Sequence, residues 1–246
     1  MNDQQFVPDL QELECAAPLS LTYMKGRGHT LVVSLAGVGT NPSEPPPQEF
    51  FAIGSQRGEH HVLFVSDASR SWLNGPEIAE RIVTAIETAA KLSDAKRIVA
   101  LGNSMGGTMA LLLARLTRID AVIAIAPQYS VHPERLPEEK RWQPFRKKIV
   151  DWPFEAVDEF ATTQTETVIV HGGTADECLH LDRFPRHPRV KHFVFPKLDH
   201  RLALRLHRRN QLAPIVDRAI AGEPWKMQRA IERAGGISRE QFDADR

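Results

Sequence analysis

Six short apolar segments, rich in β-branched residues and separated by helical patterns, constrain the fold most strongly. They are residues 31–35, 61–65, 97–101, 121–125, 167–170 and 190–195. Continuous apolar runs of this length are typical of strands buried on both faces, as in a parallel sheet. Residues 76–92, 105–116 and 201–221 have the pattern of helices. The alternation predicts an α/β fold with a doubly wound, mostly parallel sheet and helices on both faces. Residues 19–24 are predicted as an additional edge strand.

The chain is expected to form a single domain over residues 1–246, because no repeat, low-complexity tract or linker divides it. Residues 128–165 interrupt the alternation and are too long for an ordinary connection. Their charges, prolines and tryptophans predict a small, partly helical cap insertion over the carboxyl edge of the sheet. Residues 223–246 follow the last predicted helix as a C-terminal tail.

Composition excludes several classes of function. The 31 basic and 31 acidic side chains give a formal net charge of zero, whereas binding to nucleic acid needs a basic excess. Two cysteines, Cys15 and Cys178, form no disulfide framework. No signal peptide and no membrane-spanning apolar run is recognisable. We therefore expect a cytoplasmic protein without a membrane span or nucleic-acid partner, and the oligomeric state stays open. The sequence has no H-E-x-x-H motif or paired cysteines, so neither a metal nor another cofactor is expected.

The nucleophile candidate lies in residues 102–107, which read Gly-Asn-Ser-Met-Gly-Gly and match the pattern G-x-S-x-G. The motif follows the predicted strand 97–101 and opens the helical run 105–116. A sharp turn between strand and helix would expose Ser104 above the sheet, and Gly102 and Gly106 give the helix room to approach. The alternative is a glycine-rich turn that binds nothing or cradles a phosphate. The P-loop lysine and the G-x-G-x-x-G spacing are both absent.

With this motif between a strand and a helix, the sequence resembles the α/β-hydrolase superfamily. The resemblance covers roughly residues 19–221. That resemblance implies a catalytic triad in the order serine, acid, histidine. Asp176 follows a late strand and matches the acid, with Glu177 as its nearest alternative. His200 follows strand 190–195 and matches the base, whereas its neighbour Asp199 is expected to point away. In such a triad the histidine accepts the serine proton and the acid orients the histidine.

The resemblance also implies two backbone donors for the oxyanion of the reaction. One is Met105, which follows the nucleophile. The other belongs to the loop after strand 31–35, where we assign Val38, with Gly37 as the alternative. Residues 36–40 read Ala-Gly-Val-Gly-Thr rather than H-G-G-G, a departure from the lipase pattern that disfavours a bulky ester.

These features predict a serine hydrolase of the esterase or thioesterase class, acting on a small acyl substrate through an acyl-serine intermediate. An acyltransferase would use the same triad, and a non-catalytic binding protein could share the fold. A second resemblance concerns residues 64–67, Trp72 and residues 126–130. They resemble bacterial hydrolase-like proteins linked to surface polysaccharide assembly. Packing of loops is the alternative role for Trp72 and Tyr129.

The last predicted helix carries a cluster of basic residues on a narrow arc. They are Arg201, Arg205, Arg208 and Arg209. Like charges on one helical face repel, so a negative partner is expected. The candidates are an anionic substrate or acidic residues of the tail and the cap, namely Glu138, Glu139, Glu232, Glu240, Asp243 and Asp245.

Overall fold

A computed structural model describes residues 6–158 and 164–246. Its centre is a nine-stranded sheet. The strands are β1 (Leu10–Glu14), β2 (Leu19–Met24), β3 (Thr30–Leu35), β4 (His61–Asp67), β5 (Arg97–Asn103), β6 (Ala121–Ile125), β7 (Glu166–Gly172), β8 (Val190–Phe195) and β9 (Ile237–Ser238). Their order in the sheet is β1-β2-β4-β3-β5-β6-β7-β8-β9. The pairs from β4 through β3 to β8 are parallel. The predicted α/β class and mostly parallel sheet are therefore confirmed.

The antiparallel strands lie at the two ends of the sheet. β2 pairs with β4, β1 pairs with β2, and β9 pairs with β8. Residues 19–24 were predicted as an edge strand, and that position is wrong: β1 covers β2 and forms the edge itself. β1 reads Leu-Gln-Glu-Leu-Glu and contains no apolar run, so the sequence pattern missed it.

Helices cover both faces of the sheet because successive side chains of a buried strand point to opposite sides. In β3, Leu31 and Val33 join one core and Val32 joins the other. The first core is closed by α2 (Ile78–Ser93) and α3 (Met105–Leu113), and the second by α6 (Leu202–Arg208), α7 (Leu212–Ile220) and α8 (Pro224–Arg233). The shorter helices are α1 (Phe51–Ser55), α4 (Gln143–Arg146), α5 (Ala175–Leu181) and α9 (Arg239–Ala244).

The predicted helix over residues 201–221 is two helices, α6 and α7. Asn210, between them, has a left-handed backbone with φ of 57°. This conformation ends an α-helix, and asparagine adopts it more readily than most residues. The apolar periodicity continues across the break, which is why the pattern read as one element.

The segment predicted as a cap, for which the name cap is kept as a label, and the segment predicted as a tail differ in structure. In residues 128–158, α4 is the one helix, and the rest is irregular chain; residues 159–163 lie outside the described part. The buried Arg146 guanidinium holds this segment together by donating to the carbonyls of Val131, at 2.6 Å, and Glu139. Residues 223–246 form α8, β9 and α9 and pack on the sheet through buried side chains such as Ile231 and Phe242. Within the described residues, no helix combines the length and apolar character required to cross a bilayer.

Candidate active site

The order of the strands creates a crevice where chain connections diverge. β4 lies on one side of β3 and β5 on the other, so the loops that leave the carboxyl ends of β3 and β5 turn apart. Ligand sites of open α/β sheets occur at such switch points. Ser104 follows β5, and the loop containing Gly37 and Val38 follows β3.

Ser104 has the strained backbone expected of a sharp strand-to-helix turn, with φ of 56° and ψ of −122°. The glycines on either side leave no room for a side chain. A Cβ on Gly106 would lie 2.0 Å from the backbone oxygen of Leu35, and one on Gly102 would lie 2.2 Å from the backbone of Gly106. Close backbone contact therefore fixes this turn, as the G-x-S-x-G spacing predicts.

His200 lies between β8 and α6 and contacts the Ser104 hydroxyl. Its Nε2 is 2.8 Å from Ser104 Oγ, and its Nδ1 is 2.9 Å from Glu177 Oε1. A carboxylate accepts hydrogen bonds, so Nδ1 carries the proton of the neutral ring and Nε2 accepts from the serine. The side chains of Ser104 and His200 thus meet as the sequence predicted.

The acid in contact with the histidine is Glu177, and the choice of Asp176 is corrected. Both residues lie in the first turn of α5, and neighbouring residues on a helix point about 100° apart. Asp176 is exposed, while Glu177 is 1% exposed and points towards the site. A helical reading of residues 175–181 would have favoured Glu177, because it shares a face with the apolar Leu181 at i+4.

A charged network from the cap surrounds Glu177. Arg141 Nη1 is 3.3 Å from Glu177 Oε1, and the same guanidinium pairs with Glu139 at 2.6 Å. His180 Nε2 lies 2.8 Å from Glu139 Oε2, the same oxygen that accepts from Arg141 Nη2. Burial favours a high pKa for Glu177, but the hydrogen bond and charge of His200 and the charges of His171 and Arg141 outweigh it, so the pKa is lowered. Glu177 is thereby held as the carboxylate.

Gln128, at the start of the predicted cap, also contacts the nucleophile. Its Nε2 lies 2.7 Å from Ser104 Oγ, and the side chain is completely buried. The indole Nε1 of Trp72, which can donate and not accept, lies 3.0 Å from Gln128 Oε1. This contact fixes the amide with its oxygen towards Trp72 and its nitrogen towards Ser104. The second resemblance drew attention to both residues without indicating that they meet at Ser104.

The loop after β3 contains the two candidates for the second oxyanion donor. The N–H of Gly37 already donates to Glu49 Oε1 at 3.3 Å. The buried guanidinium of Arg70 donates to the carbonyl of Val38 at 2.7 Å and to the carbonyls of Asn41 and Glu44. It therefore fixes the loop around Val38. Met105 is the first residue of α3, so its N–H has no acceptor within the helix.

Glu49 is a further carboxyl group beside this loop, since it accepts from the N–H of Gly37. Burial raises its pKa from the ordinary 4.5 to about 7, and the N–H of Gly37 lowers it by less. A Cβ on Gly37 would lie 3.3 Å from Glu49 Oε1 and 3.7 Å from Ser104 Cβ. Gly37 therefore lies between this carboxyl group and Ser104, and Glu49 does not belong to the triad.

The cap also brings an aromatic side chain to the site. The ring of Trp142 lies edge-on to His200, with centroids 5.4 Å apart, and edge-on to Trp72 at 6.0 Å. The tryptophans of this segment are evident in the sequence, but no sequence pattern assigns them to the site. Within residues 6–158 and 164–246, no cluster of three or more His, Cys, Asp or Glu residues could hold a metal ion.

The predicted basic cluster has a closer partner than those proposed. Arg205 pairs with Asp199 at 2.8 Å, so Asp199 points away from the site as expected. Of the proposed cap partners, Glu138 pairs with Arg183 and Glu139 with Arg141. In the tail, Asp243 pairs with Arg186, Arg239 and Arg246. For Arg205, the expectation of an acidic partner from the tail or the cap is wrong. Asp199 lies just before α6 and pairs with Arg205 instead.

Comparisons with known proteins agree with this architecture. The profile of the alpha/beta hydrolase family matches residues 13–231. The fold is similar to that of fluorophosphonate-binding serine hydrolase F of Staphylococcus aureus (TM-score 0.56, 12% identity, 89% of this chain and 98% of that chain). It is also similar to Est1E of Butyrivibrio proteoclasticus (TM-score 0.53, 16% identity, 87% and 98%). A third similar structure is the capsule O-acetyltransferase of Neisseria meningitidis serogroup A in complex with CoA (TM-score 0.52, 16% identity, 70% and 79%). No curated protein matches the sequence.

Proposed function

Since the chain belongs to the α/β-hydrolase family, we propose that it is a serine hydrolase that cleaves a small acyl ester or thioester through an acyl-Ser104 intermediate. The observation that carries this proposal is the chain of hydrogen bonds from Glu177 through His200 to the Ser104 hydroxyl. A serine hydroxyl is a weak nucleophile at neutral pH, and an oriented imidazole activates it.

In the acylation half of the reaction, His200 Nε2 takes the Ser104 proton as Oγ forms a bond to the acyl carbon. The carbonyl π electrons move to the oxygen, which becomes the oxyanion of a tetrahedral intermediate. When the carbonyl re-forms, the bond to the alcohol or thiol breaks, and that leaving group receives the proton from His200. Glu177 stabilises the imidazolium throughout and stays ionised.

In the second half, water attacks the acyl carbon and gives its proton to His200. The bond between Oγ and the acyl carbon then breaks, Ser104 regains a proton from His200, and the free acid leaves. Both tetrahedral intermediates need donors for the oxyanion. We propose the backbone N–H groups of Met105 and Val38 for this role, since the N–H of Gly37 is engaged with Glu49.

The surroundings of Ser104 favour a small acyl group. Ser104 is 5% exposed, the buried Gln128 contacts its hydroxyl, and Trp142 lies against His200. The absence of an H-G-G-G loop, noted above, is consistent with this preference.

Transfer of the acyl group to an alcohol is the second candidate function, with the alcohol replacing water in the second half. The observation that favours it is that Trp72 and Gln128, which carry the resemblance to polysaccharide-assembly proteins, meet at Ser104. The similar fold of a capsule O-acetyltransferase is consistent with this candidate. A binding protein without catalysis would not require the ordered hydrogen bonds to the serine hydroxyl.

The experiment that tests the proposal is a screen of p-nitrophenyl esters and acyl-CoA thioesters of graded chain length. We expect turnover that is fastest with the shortest acyl chains and is abolished in Ser104→Ala, together with labelling of the wild-type protein by a fluorophosphonate. Adding sugar alcohols as acceptors separates the two candidates, since transfer yields an acylated alcohol in place of the free acid. A folded wild-type protein that neither turns over any substrate nor becomes labelled would contradict the proposal.

A further inference from the structure

The hydrogen bond between Gln128 and Ser104 Oγ affects the two halves of the catalytic cycle to different extents. The Ser104 hydroxyl donates a hydrogen bond to His200 Nε2 at 2.8 Å. One lone pair of Ser104 Oγ accepts a hydrogen bond from Gln128 Nε2 at 2.7 Å. The other lone pair remains free to attack. We propose that Gln128 is a catalytic residue whose main role is to release the acyl group from Ser104, an inference that rests on the proposed serine mechanism.

Gln128 is held too firmly for this contact to be incidental. Its side-chain oxygen accepts from Trp72, and its backbone N–H donates to Thr108 Oγ1 at 2.9 Å. The Thr108 hydroxyl is in turn 2.9 Å from the Gln128 carbonyl oxygen. All three side chains are buried. The amide is therefore anchored to α3 and to the loop after β4 before any substrate binds, as an electrostatic catalyst must be.

The direction of the effect follows from how well Oγ accepts a hydrogen bond at each stage. A hydroxyl oxygen is a good acceptor, an ester oxygen is a poor one, and an oxygen that leaves with negative charge is the best. Only the increase from ground state to transition state accelerates a step. Acylation starts from the Ser104 hydroxyl, which already accepts a good hydrogen bond from Gln128, so the bond can strengthen only moderately. Deacylation starts from the ester oxygen of the acyl-enzyme, which accepts a weak hydrogen bond, so the bond can strengthen more. The gain is therefore larger in deacylation.

Loss of the amide donor should consequently make the acyl-enzyme accumulate. The bonds formed and broken are unchanged, since the Oγ–acyl bond still breaks and His200 still returns the proton. What is lost is the donor that stabilises the departing oxygen. A donor to a charged oxygen contributes a factor of about 10 to 100 in rate.

The test compares wild-type protein with Gln128→Met, which keeps the length of the side chain and removes the donor, using p-nitrophenyl acetate. We expect kcat to fall about 10- to 100-fold, KM to fall with it, and kcat/KM to change much less. The mass of the quenched intact protein should show acetylated Ser104 as the main species. Gln228→Met, the same change on α8, should behave as wild type.

A second variant keeps the test decisive if Gln128→Met does not fold. Trp72→Phe removes the indole N–H that orients the amide, so it should produce the same pattern with a smaller loss. A variant that is folded but loses kcat at unchanged KM, without acetyl-enzyme, would overturn the role of Gln128, as would rates equal to wild type. If the wild-type protein itself forms no Ser104 adduct, the serine mechanism fails and this inference fails with it.

Discussion

The turn that carries Ser104 and the cap that contacts His200 are held in place by different forces. In the turn, backbone lies against backbone: Gly106 packs so closely on Leu35 that no side chain fits. In the cap, long polar side chains form the contacts, with Arg146 donating to carbonyls and Arg141 joining Glu139 to Glu177. The geometry of the nucleophile is therefore rigid and local, whereas the electrostatics of the acid depend on a separate segment.

The difference indicates how each region should respond to mutation. A larger residue in place of a glycine of the turn damages the fold itself, because the backbone of a central strand cannot move away from the added side chain. Removing a charge from the cap changes the ionisation of Glu177 and leaves the sheet intact. Substitutions in the two regions should therefore separate a loss of stability from a change in pH dependence.

The largest effect is expected for Gly106→Ala. Its Cβ would lie 2.0 Å from the Leu35 backbone oxygen, so the variant should lose at least about 3 kcal/mol of unfolding free energy and its activity. Gly54→Ala is the matched control, since its nearest neighbour would be a Val32 methyl at 3.5 Å. Urea denaturation measures both. Equal stabilities would mean that close backbone contact does not fix the turn.

A smaller and selective effect is expected for Arg141→Met. The Arg141 charge helps to keep the pKa of Glu177 low, so its loss raises that pKa and allows Glu177 to protonate at a higher pH. In the pH profile of kcat/KM, the acidic limb should shift to higher pH. The value should fall about 10-fold at acidic pH for each unit by which the pKa rises, with little loss at alkaline pH. Arg135→Met removes a cap arginine that pairs with Asp158 and Glu155 instead. If that control shifts the limb equally, Arg141 has no specific effect on Glu177.

The same contrast explains what the sequence could reveal. The apolar segments predicted the central strands, and the G-x-S-x-G spacing predicted Ser104, because both depend on neighbouring residues. Glu177 was one position away from the predicted Asp176, since a residue's place relative to a strand does not specify which side of the next helix faces inward. Gln128, Arg141 and Trp142 reach the site through contacts between distant segments, and no local pattern contains that information.

A change of stability with pH is expected for Glu49, at the loop after β3. Its pKa is about 7 in the folded protein against an ordinary 4.5, so folding favours the protonated form. Stability is therefore lost as pH rises from about 4.5 to 7. Glu49→Gln cannot ionise and should gain stability over wild type by about 3 kcal/mol at pH 8 and by no more than about 1 kcal/mol at pH 5. Glu44→Gln, with an exposed side chain, is the control. A gain that is equal at both pH values would exclude this ionisation as its cause.

The triad is tested most directly by comparing the kcat of Glu177→Gln with that of Asp176→Asn on the best ester found. The two changes are chemically equivalent and one residue apart, but only Glu177 contacts His200. We expect a loss of about 10⁴-fold for Glu177→Gln, through loss of the correct tautomer, and a change of less than about 3-fold for Asp176→Asn. Equal losses, or a larger loss for Asp176→Asn, would contradict the triad of Ser104, His200 and Glu177.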